Sequence, residues 1–450
     1  MTKAITEKKT QKSASLKNDS ITIRGGKPLR GEITVRGAKN AVSKEMVAAL
    51  LTNEQCVLRN VPNVEDVTVV SDMIRAVGGK VNRLADGELE IINETIHPVN
   101  KEELKSIAGK SRIPVLFAGP LLHRSQEAFI PELGGCKIGK RPVDFHLKAL
   151  RQLGAEIEEL EKGFHLTAQR LHGAKIRLSY PSVGATEQVL LSACLADGVT
   201  ELLNAAIEPE IMDLIAVLQK MGAIISVDAD RVITITGVKE LHGFKHSVLP
   251  DRLEAASWAC AAAATNGKIF VAGARQGDLM TFLNKFRQVG GEFEIRDDGI
   301  EFWRGKDLRA IAIETDVYPG FSTDYQQPFM ILLTQAEGAS VIHETVYEKR
   351  FGFVEDLNRM GANIQIYREC LGGKTCRFGQ ENHRHSAVIA GPTQLHGAEI
   401  EVPDLRAGFS YVVAALVAKG KSTLKHIYHI YRGYENFTNK LFALEADIEE

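Results

Sequence analysis

The stretch IMDLIAVLQKMGA, residues 211–223, indicates the fold class. Its apolar residues recur at the spacing of a single helical face: Ile211, Leu214, Ile215, Leu218 and Met221. Gly222 follows the last of them, where a helix C-cap favours glycine. The pattern predicts an amphipathic helix that buries one face and ends at this glycine.

The same closing step, an apolar residue followed by Gly and then by Gly or Ala, recurs along the chain. Its six copies, of which the last is degenerate, are Val77-Gly78-Gly79, Leu153-Gly154-Ala155, Met221-Gly222-Ala223, Val289-Gly290-Gly291, Met360-Gly361-Ala362 and Leu444-Glu445-Ala446. Spacings of 76, 68, 68, 71 and 84 residues are too long for a solenoid module and too regular for chance. Whole α/β units are therefore predicted to repeat.

Each unit also contains a second kind of helix. Residues 256–264 and 411–418 are mostly small and are apolar nearly all round, which is typical of helices enclosed by other elements. Short strands precede such helices, for example at 33–35, 176–178 and 400–402. Adding a closing hairpin, such as 155–160 with 164–167, gives a βαβαββ unit. Six units predict two inside-out α/β barrel domains of three units each, with helices inside and sheets outside.

Composition limits the classes of function. A chain of 450 residues with 44% hydrophobic and 25% charged residues is ordinary for a two-domain globular protein. Its net charge of −2 provides no long-range attraction to nucleic acid or to an anionic membrane. Residues 1–20 are polar and resemble neither a signal peptide nor a membrane anchor. We expect a disordered tail on a cytoplasmic protein, with no nucleic-acid partner and no membrane insertion.

Loops at equivalent places in the units collect the polar chemistry. Those before the enclosed helices are 37–40, 110–112, 182–186, 250–252, 322–324 and 404–406, and those before the outer helices include 134–141, 208–210, 348–350 and 431–433. Many carry Lys or Arg at a helix N-terminus, which already offers free N–H groups and a partial positive charge. One such residue alone is usually a solvated charge or a cap. The repetition predicts a pocket for a multiply charged anion.

These motifs carry a resemblance that covers residues 21–448. The matching segments are 36–41, 134–144, 182–186, 208–210, 249–252, 323–324, 344–351, 404–406 and 428–434. In this order they resemble the UDP-N-acetylglucosamine 1-carboxyvinyltransferase family, enolpyruvyl transferases with an EPSP synthase-like fold. The resemblance implies an active site in the cleft between two domains. It places residues 21–38 with 250–450 in a first, discontinuous domain and residues 39–249 in a second, with a lid loop around Cys136.

The implied reaction transfers the enolpyruvyl group of phosphoenolpyruvate to the 3′-hydroxyl of UDP-N-acetylglucosamine and releases phosphate. Both substrates are small molecules, and no cofactor is implied. A small dianionic substrate needs several cations at fixed angles, and Arg supplies planar bidentate donors. By resemblance, the residues that bind phosphoenolpyruvate are Lys39, Asn40, Arg141, Arg350, Arg406 and Arg432.

The resemblance assigns catalysis to Cys136, Asp324, Lys39 and Arg406. Cys136 is the family's acid, and it can also attach covalently to the substrate. The basic residues around it favour the thiolate and so oppose an acid role, which leaves acid, nucleophile or both open. Asp324 acts on the sugar hydroxyl as general base or as orienter, the alternative being a helix N-cap.

The expected contacts with the nucleotide sugar extend along both halves of the chain. They are Arg112, Arg141, Pro142, Val143, Asp144, Phe145, Ser182, Val183, Gly184, Asp324 and Val346. Two departures from the family pattern stand out: Tyr180-Pro181 replaces a frequent Lys at the nucleotide end, and the charged pair Lys44-Glu45 lies in the first turn of a helix expected to be enclosed. Two alternatives stay open: a related transferase with another acceptor, against which Cys136 argues, and a silent nucleotide-sugar-binding paralogue, which the Tyr180 change keeps open.

A third departure lies between Gln365 and His396. It contains Cys370, Cys376, His383 and His385, residue types that bind zinc. The spacing of the Cys pair and of the His pair matches structural zinc sites poorly. We expect a solvated hairpin and no metal.

Overall fold

The computed structural model describes most of the chain. The described residues are 19–97, 111–131, 143–373, 376, 378–379 and 381–449. Most of the predicted tail, and the lid loop with Cys136, Arg141 and Pro142, lie outside them. No helix in these ranges has the length and apolar character needed to cross a bilayer.

Helices of two kinds alternate along the chain. In chain order they are Lys39–Ala48 (α1), Glu65–Ala76 (α2), Ala118–Ser125 (α3), Asp144–Gln152 (α4), Val183–Ala193 (α5), Pro209–Lys220 (α6), Arg252–Ala264 (α7), Gln276–Val289 (α8), Thr323–Leu333 (α9), Val354–Arg359 (α10), Leu405–Val417 (α11), Tyr428–Tyr431 (α12) and Phe437–Ala443 (α13), with 3₁₀ turns at Ala49–Leu51, Ile113–Phe117 and Ala229–Arg231. The inner helices are α1, α3, α5, α7, α9 and α11. Every residue of α7 is buried, as the small-residue pattern predicts.

Short strands connect the helices. They are Ser20–Arg24 (β1), Arg30–Thr34 (β2), Cys56–Arg59 (β3), Lys80–Ala85 (β4), Glu88–Ile92 (β5), Glu127–Pro131 (β6), Glu156–Leu160 (β7), Gly163–Thr167 (β8), Lys175–Arg177 (β9), Val199–Leu203 (β10), Ile224–Asp228 (β11), Val232–Thr236 (β12), Lys245–Ser247 (β13), Lys268–Ala272 (β14), Gly291–Arg296 (β15), Gly299–Arg304 (β16), Ala312–Glu314 (β17), Gly338–His343 (β18), Asn363–Tyr367 (β19), Ser386–Gly391 (β20), Glu399–Glu401 (β21), Lys421–Lys425 (β22) and Asp447–Glu449 (β23).

The strands form six sheets within the described ranges. Their orders are β21-β22-β1-β23, β11-β12-β10-β9, β13-β3-β5-β4, β15-β16-β14-β2, β17-β18-β20-β19 and β6-β8-β7. In the second of these, β9 and β10 are parallel on either side of α5, and β11 and β12 form an antiparallel hairpin after α6. This is the predicted βαβαββ unit, and the predicted mixed α/β fold is confirmed.

Three units borrow a strand from a distant part of the chain. β2 pairs in parallel with β14, with Arg30 opposite Lys268, so its inner helix is α7 and not the adjacent α1. In the same way β13 completes the sheet of β3, and β1 joins β22. The chain therefore leaves one group of units after β2 and returns to it after β13.

The buried apolar residues divide into two clusters. One contains residues from 21–35 and 253–446, and the other contains residues from 38–249. This division supports the domain boundaries expected from the sequence, which stay a proposal. Each cluster is built around three inner helices and enclosed by three sheets.

The closing glycines share one backbone conformation. φ is +97° at Gly78, +98° at Gly154, +101° at Gly222, +104° at Gly290 and +103° at Gly361. Glu445, in the degenerate sixth copy, also has a positive φ, at +58°. The repeated glycine is therefore required by a left-handed C-cap after each outer helix.

Gly222→Ala is expected to lower the free energy of unfolding by roughly 1–2 kcal/mol, because an L side chain is strained at this φ. A Cβ there would meet no atom closer than 3.6 Å, so the effect isolates the backbone conformation. The control is Gly277→Ala in α8, where φ is ordinary and the space is open. Thermal and urea unfolding of both variants test this, and equal stability of the two would contradict it.

Candidate active site

The N-terminal ends of inner helices from both clusters lie next to one another. The backbone N–H of Lys39, the first residue of α1, donates to Asp251 Oδ2 at 3.2 Å. Asp251 is the N-cap of α7, where its other oxygen accepts from the N–H groups of Leu253 and Glu254 at 2.9 and 3.0 Å. One carboxylate thus joins two inner helices, one from each cluster.

Asp324 lies between two arginines. Its Oδ1 accepts a hydrogen bond from Arg350 Nη2, and its Oδ2 lies 3.5 Å from Arg406 Nε. Asp324 is the second residue of α9, whose N-cap is Ser322, with Oγ accepting from the Asp324 N–H at 3.2 Å. The N-cap alternative for Asp324 is therefore wrong, and its carboxylate is directed to the two guanidinium groups.

Arg350 is held in a buried position by a short loop after β18. Glu344 fixes this loop, since its carboxylate accepts from Thr323 Oγ1 at 2.9 Å and from the N–H groups of Val346 and Tyr347 at 2.8 and 3.0 Å. Burial favours neutral Arg350, but the carboxylates of Asp324 and Glu344 hold its pKa above the ordinary value. Arg350 Nε is buried and finds no hydrogen-bond partner among the described residues. A buried cationic donor is thus available for an anion.

Arg406 is positioned by aromatic packing. Its Nη1 donates to Tyr434 Oη at 3.1 Å, and the guanidinium lies 5.7 Å from the centre of the Tyr434 ring. Burial would lower its pKa, but Tyr434, Asp324 and Asp251 raise it. Arg406 therefore stays charged although it is buried.

Lys39 and Arg432 meet at the first turn of α2. Lys39 Nζ lies 2.7 Å from Asp66 Oδ2, and Arg432 Nε lies 3.1 Å from Glu65 Oε2. Burial alone would raise the pKa of Asp66, but the charges of Lys39 and Arg432 lower it. Gly433 packs tightly beside them, since a Cβ there would lie 3.2 Å from Lys39 Cδ.

The structure thus brings together most of the residues expected at phosphoenolpyruvate. Arg350 and Arg406 share Asp324, while Lys39 and Arg432 share the acidic turn of α2. Asn40 follows Lys39 in α1, where its carbonyl oxygen accepts from Lys44 Nζ at 2.7 Å. The sixth expected residue, Arg141, lies outside the described residues, as do the expected acid Cys136 and, from the nucleotide-sugar set, Pro142.

A second group of expected residues surrounds His146. Val143 precedes α4, Asp144 and Phe145 begin it, and a Cβ on Gly184 would lie 2.9 Å from His146 Nε2. Burial, followed by the charge of Arg112, lowers the pKa of His146 to about 4 although Gln188 opposes this. Ser182 caps α5, its Oγ accepting from the Ala185 N–H at 3.4 Å.

A surface depression of about 600 Å³ adjoins this group. Its lining includes Val143, Asp144 and Phe145 together with Lys148 and Arg151. The expected nucleotide-sugar residues of α4 and α5 are therefore adjacent, and α4 borders a space large enough for part of a ligand.

Comparisons with known proteins identify the family of this chain. A model of the EPSP synthase (3-phosphoshikimate 1-carboxyvinyltransferase) family matches residues 23–441. The chain belongs to this family. Proteins named UDP-N-acetylglucosamine 1-carboxyvinyltransferase share 49% identity in Protochlamydia amoebophila (96% of this chain, 94% of the relative) and 45% in Chlamydia muridarum (95% and 98%). A third, from Granulibacter bethesdensis, shares 44% (96% and 99%).

Solved structures of the EPSP synthase family share the fold. The enolpyruvyl transferase NikO from Streptomyces tendae matches with a TM-score of 0.83 and 22% identity over 96% of this chain and 98% of that one. An EPSP synthase from Acinetobacter baumannii matches with a TM-score of 0.73 and 19% identity over 96% and 100%. The predicted family and two-domain α/β fold are confirmed.

The residues expected at the site did not include one buried ion pair, between Arg252 and Glu210. Arg252 Nε and Nη2 donate to the two oxygens of Glu210 at 3.0 and 3.1 Å, and its Nη1 donates to Tyr325 Oη at 2.8 Å. Glu210 lies in α6, which packs on the cluster of residues 38–249, whereas Arg252 begins α7 and Tyr325 lies in α9, two inner helices of the other cluster. The repeat pattern singled out the loops that contain Glu210 and Arg252. The sequence did not show that these two side chains form an ion pair.

The unusual charge of Lys44 also has a partner. Lys44 Nζ lies 3.6 Å from Glu187 Oε1, and both side chains are buried. Burial raises the pKa of Glu187 to about 7, although Lys44 opposes the shift. A carboxyl of raised pKa stabilises the fold below its unfolded pKa, and this contribution is lost as pH rises through the folded value.

Glu187→Gln is therefore expected to gain stability relative to the wild type as pH rises from 5 to 8, by about 2 kcal/mol. Near pH 5 the side chain at position 187 is neutral in the wild type and in the variant. At pH 8 only the wild type buries a carboxylate there. Urea unfolding across this range measures the difference. The same change at the exposed Glu156 is the control for loss of one carboxyl, and a difference for Glu187→Gln that does not vary with pH would contradict the prediction.

Proposed function

We propose that this protein transfers the enolpyruvyl group of phosphoenolpyruvate to the 3′-hydroxyl of UDP-N-acetylglucosamine and releases phosphate. Three relatives of that name, at 44–49% identity over nearly the whole chain, support this acceptor. They favour it over the two alternatives, a transferase with another acceptor and a silent paralogue. The reaction uses two small molecules, and we place it in the cytoplasm.

The observation that carries the proposal is the position of Asp324 between Arg350 and Arg406. Two buried arginines that share one carboxylate form a ready anion site, and the substrate carboxylate can take up the donors that Asp324 engages. Lys39 and Arg432 then address the phosphate. Because the four cations come from separate segments of the chain, they can contact a small dianion from several directions.

The addition requires two proton movements: the sugar 3′-hydroxyl loses its proton as its oxygen bonds to C2 of phosphoenolpyruvate, and C3 gains a proton. In the elimination the tetrahedral intermediate loses phosphate from C2 and returns a proton from C3. Over both steps the hydroxyl proton passes to the released phosphate. When the substrate carboxylate occupies the arginines, Asp324 is released to accept the proton of the sugar hydroxyl or to orient that hydroxyl. The proton for C3 is assigned to Cys136, which stays a prediction.

The nucleotide sugar is assigned to the group around His146. The loop before α5 offers Ser182, Val183 and Gly184, and α4 begins with Asp144 and Phe145. We propose that Arg112 binds the diphosphate, with Arg141, Pro142 and Val143 lining the same end. Val346, held by Glu344 beside α9, completes the set next to Asp324.

Phosphate release from the purified protein tests the reaction. We expect phosphate only when phosphoenolpyruvate and UDP-N-acetylglucosamine are both present. Cys136→Asp should retain activity and Cys136→Ser should lose it if residue 136 donates a proton. Binding of the nucleotide sugar without any phosphate release would instead support the silent paralogue.

Asp324→Asn is expected to lower kcat by at least about 100-fold, since a general base contributes roughly 10²–10⁴ in rate. The matched control is Asp356→Asn, because Asp356 also lies in the first turn of a helix and pairs with an arginine, Arg359. Steady-state phosphate release gives kcat for both variants. A change in KM alone for Asp324→Asn would remove Asp324 from the proton transfer.

A further inference from the structure

Two cysteines approach each other in the connection between β19 and β20. The strands pair antiparallel, with Tyr367 opposite Ser386, so the connection returns on itself. Cys370 Sγ and Cys376 Sγ lie 3.4 Å apart, and both are free thiols. Their spacing in the sequence gave little reason to expect this.

Two histidines reach the same place. His385 Nε2 lies 3.3 Å from Cys370 Sγ. His343, the last residue of β18, pairs with Ser386 in the register of β18 and β20 and so stands beside His385. One ligand atom from each of the four residues His343, Cys370, Cys376 and His385 lies within 4.8 Å of every other.

These separations suit a tetrahedral zinc ion. With Zn–S near 2.3 Å and Zn–N near 2.0 Å, tetrahedral angles place two sulfurs about 3.8 Å apart and a sulfur and a nitrogen about 3.5 Å apart. The observed 3.4 and 3.3 Å are within a few tenths of an ångström of these values. A set of two thiolates and two imidazoles binds zinc in preference to magnesium or calcium, which take oxygen ligands.

Both imidazoles are oriented as metal ligands usually are. His343 Nδ1 is 2.9 Å from Glu314 Oε1, and His385 Nδ1 is 2.9 Å from the carbonyl oxygen of His383. A carboxylate or carbonyl on one ring nitrogen leaves the other nitrogen with its lone pair toward a metal. His343 is fully buried, and its Nε2 has no hydrogen-bond partner among the described residues. That orphaned atom is the second, independent sign of a ligand.

The surrounding chain is fitted closely to this cluster. A Cβ on Gly372 would lie 2.0 Å from His343 Nδ1, so only glycine lets the chain pass over the ring. Leu371 N–H donates to Ser386 Oγ at 3.1 Å, which ties the Cys370 turn to β20. The buried Phe378 ring packs at 5.9 Å from that of His385.

We propose that Cys370, Cys376, His343 and His385 bind one Zn²⁺ ion in a structural site. The four protein ligands complete the tetrahedron and leave no open position, and binding releases the two thiol protons to solvent. The ion would cross-link the connection between β19 and β20 to the end of β18. Since His343 directly precedes Glu344, it would also secure the loop that carries Val346 and Arg350.

Metal analysis of the full chain, purified under reducing conditions without chelator from zinc-supplemented cells, is the first test. We expect one zinc ion per chain by mass spectrometry, and a thiolate-to-cobalt charge-transfer band after exchange with Co²⁺. His385→Gln and Cys376→Ser should each lose the metal. His383→Gln is the matched control, because His383 is two residues from His385 and supplies only its backbone carbonyl oxygen.

Three results would overturn the proposal: wild-type protein without zinc, a Cys370 to Cys376 disulfide detected when thiols are alkylated at lysis without reductant, or zinc retained by both His385→Gln and Cys376→Ser. The wild-type measurements do not depend on whether the variants fold. Metal content is read without substrates, so its outcome is independent of the transferase assay.

Discussion

Complete enclosure of the inner helices is the constraint on which the rest of this structure depends. A helix such as α7 has sheet or helix on every side, so most of its side chains are small and none of its residues is exposed. Many of the charged residues lie where such a helix begins, because its free N–H groups need partners there. Asp251, Ser322 and Asp404 meet this need as N-caps, and a charged residue follows each of them within two positions.

The charges at these helix starts are matched by partners from the chain itself. Arg350 and Arg406 share Asp324, Lys39 and Arg432 lie against the acidic turn of α2, and Arg252 engages Glu210. A cluster of buried cations without such partners would strongly destabilise the fold. The internal carboxylates therefore hold these cations in place, and in the proposed reaction phosphoenolpyruvate has to compete with them.

Much of this arrangement could be predicted from periodicity. The amphipathic pattern of residues 211–221 gave α6, and the closing glycines marked the end of five outer helices. Residue types at equivalent loops predicted an anion pocket, and the structure places Arg350 and Arg406 around Asp324 and Lys39 beside Asp66; that they bind an anion stays a proposal. Pairings between distant segments could not be predicted. Neither the pairing of β2 with β14 nor that of Arg252 with Glu210 produces a local pattern in the sequence. The same holds for His343, which lies 27 positions before Cys370 and joins it only through the register of β18 and β20.

The exchange of strands also sets an order of events during synthesis. Every strand and helix of the cluster at 38–249 has been made once residue 249 leaves the ribosome, so this half can fold while translation continues. The other half cannot, because β1 lies between β22 and β23 and has no sheet until residues 421–449 exist. Its first strands, β1 and β2, must therefore remain unpaired for most of translation. The polypeptide that emerges first is among the last to reach its native neighbours.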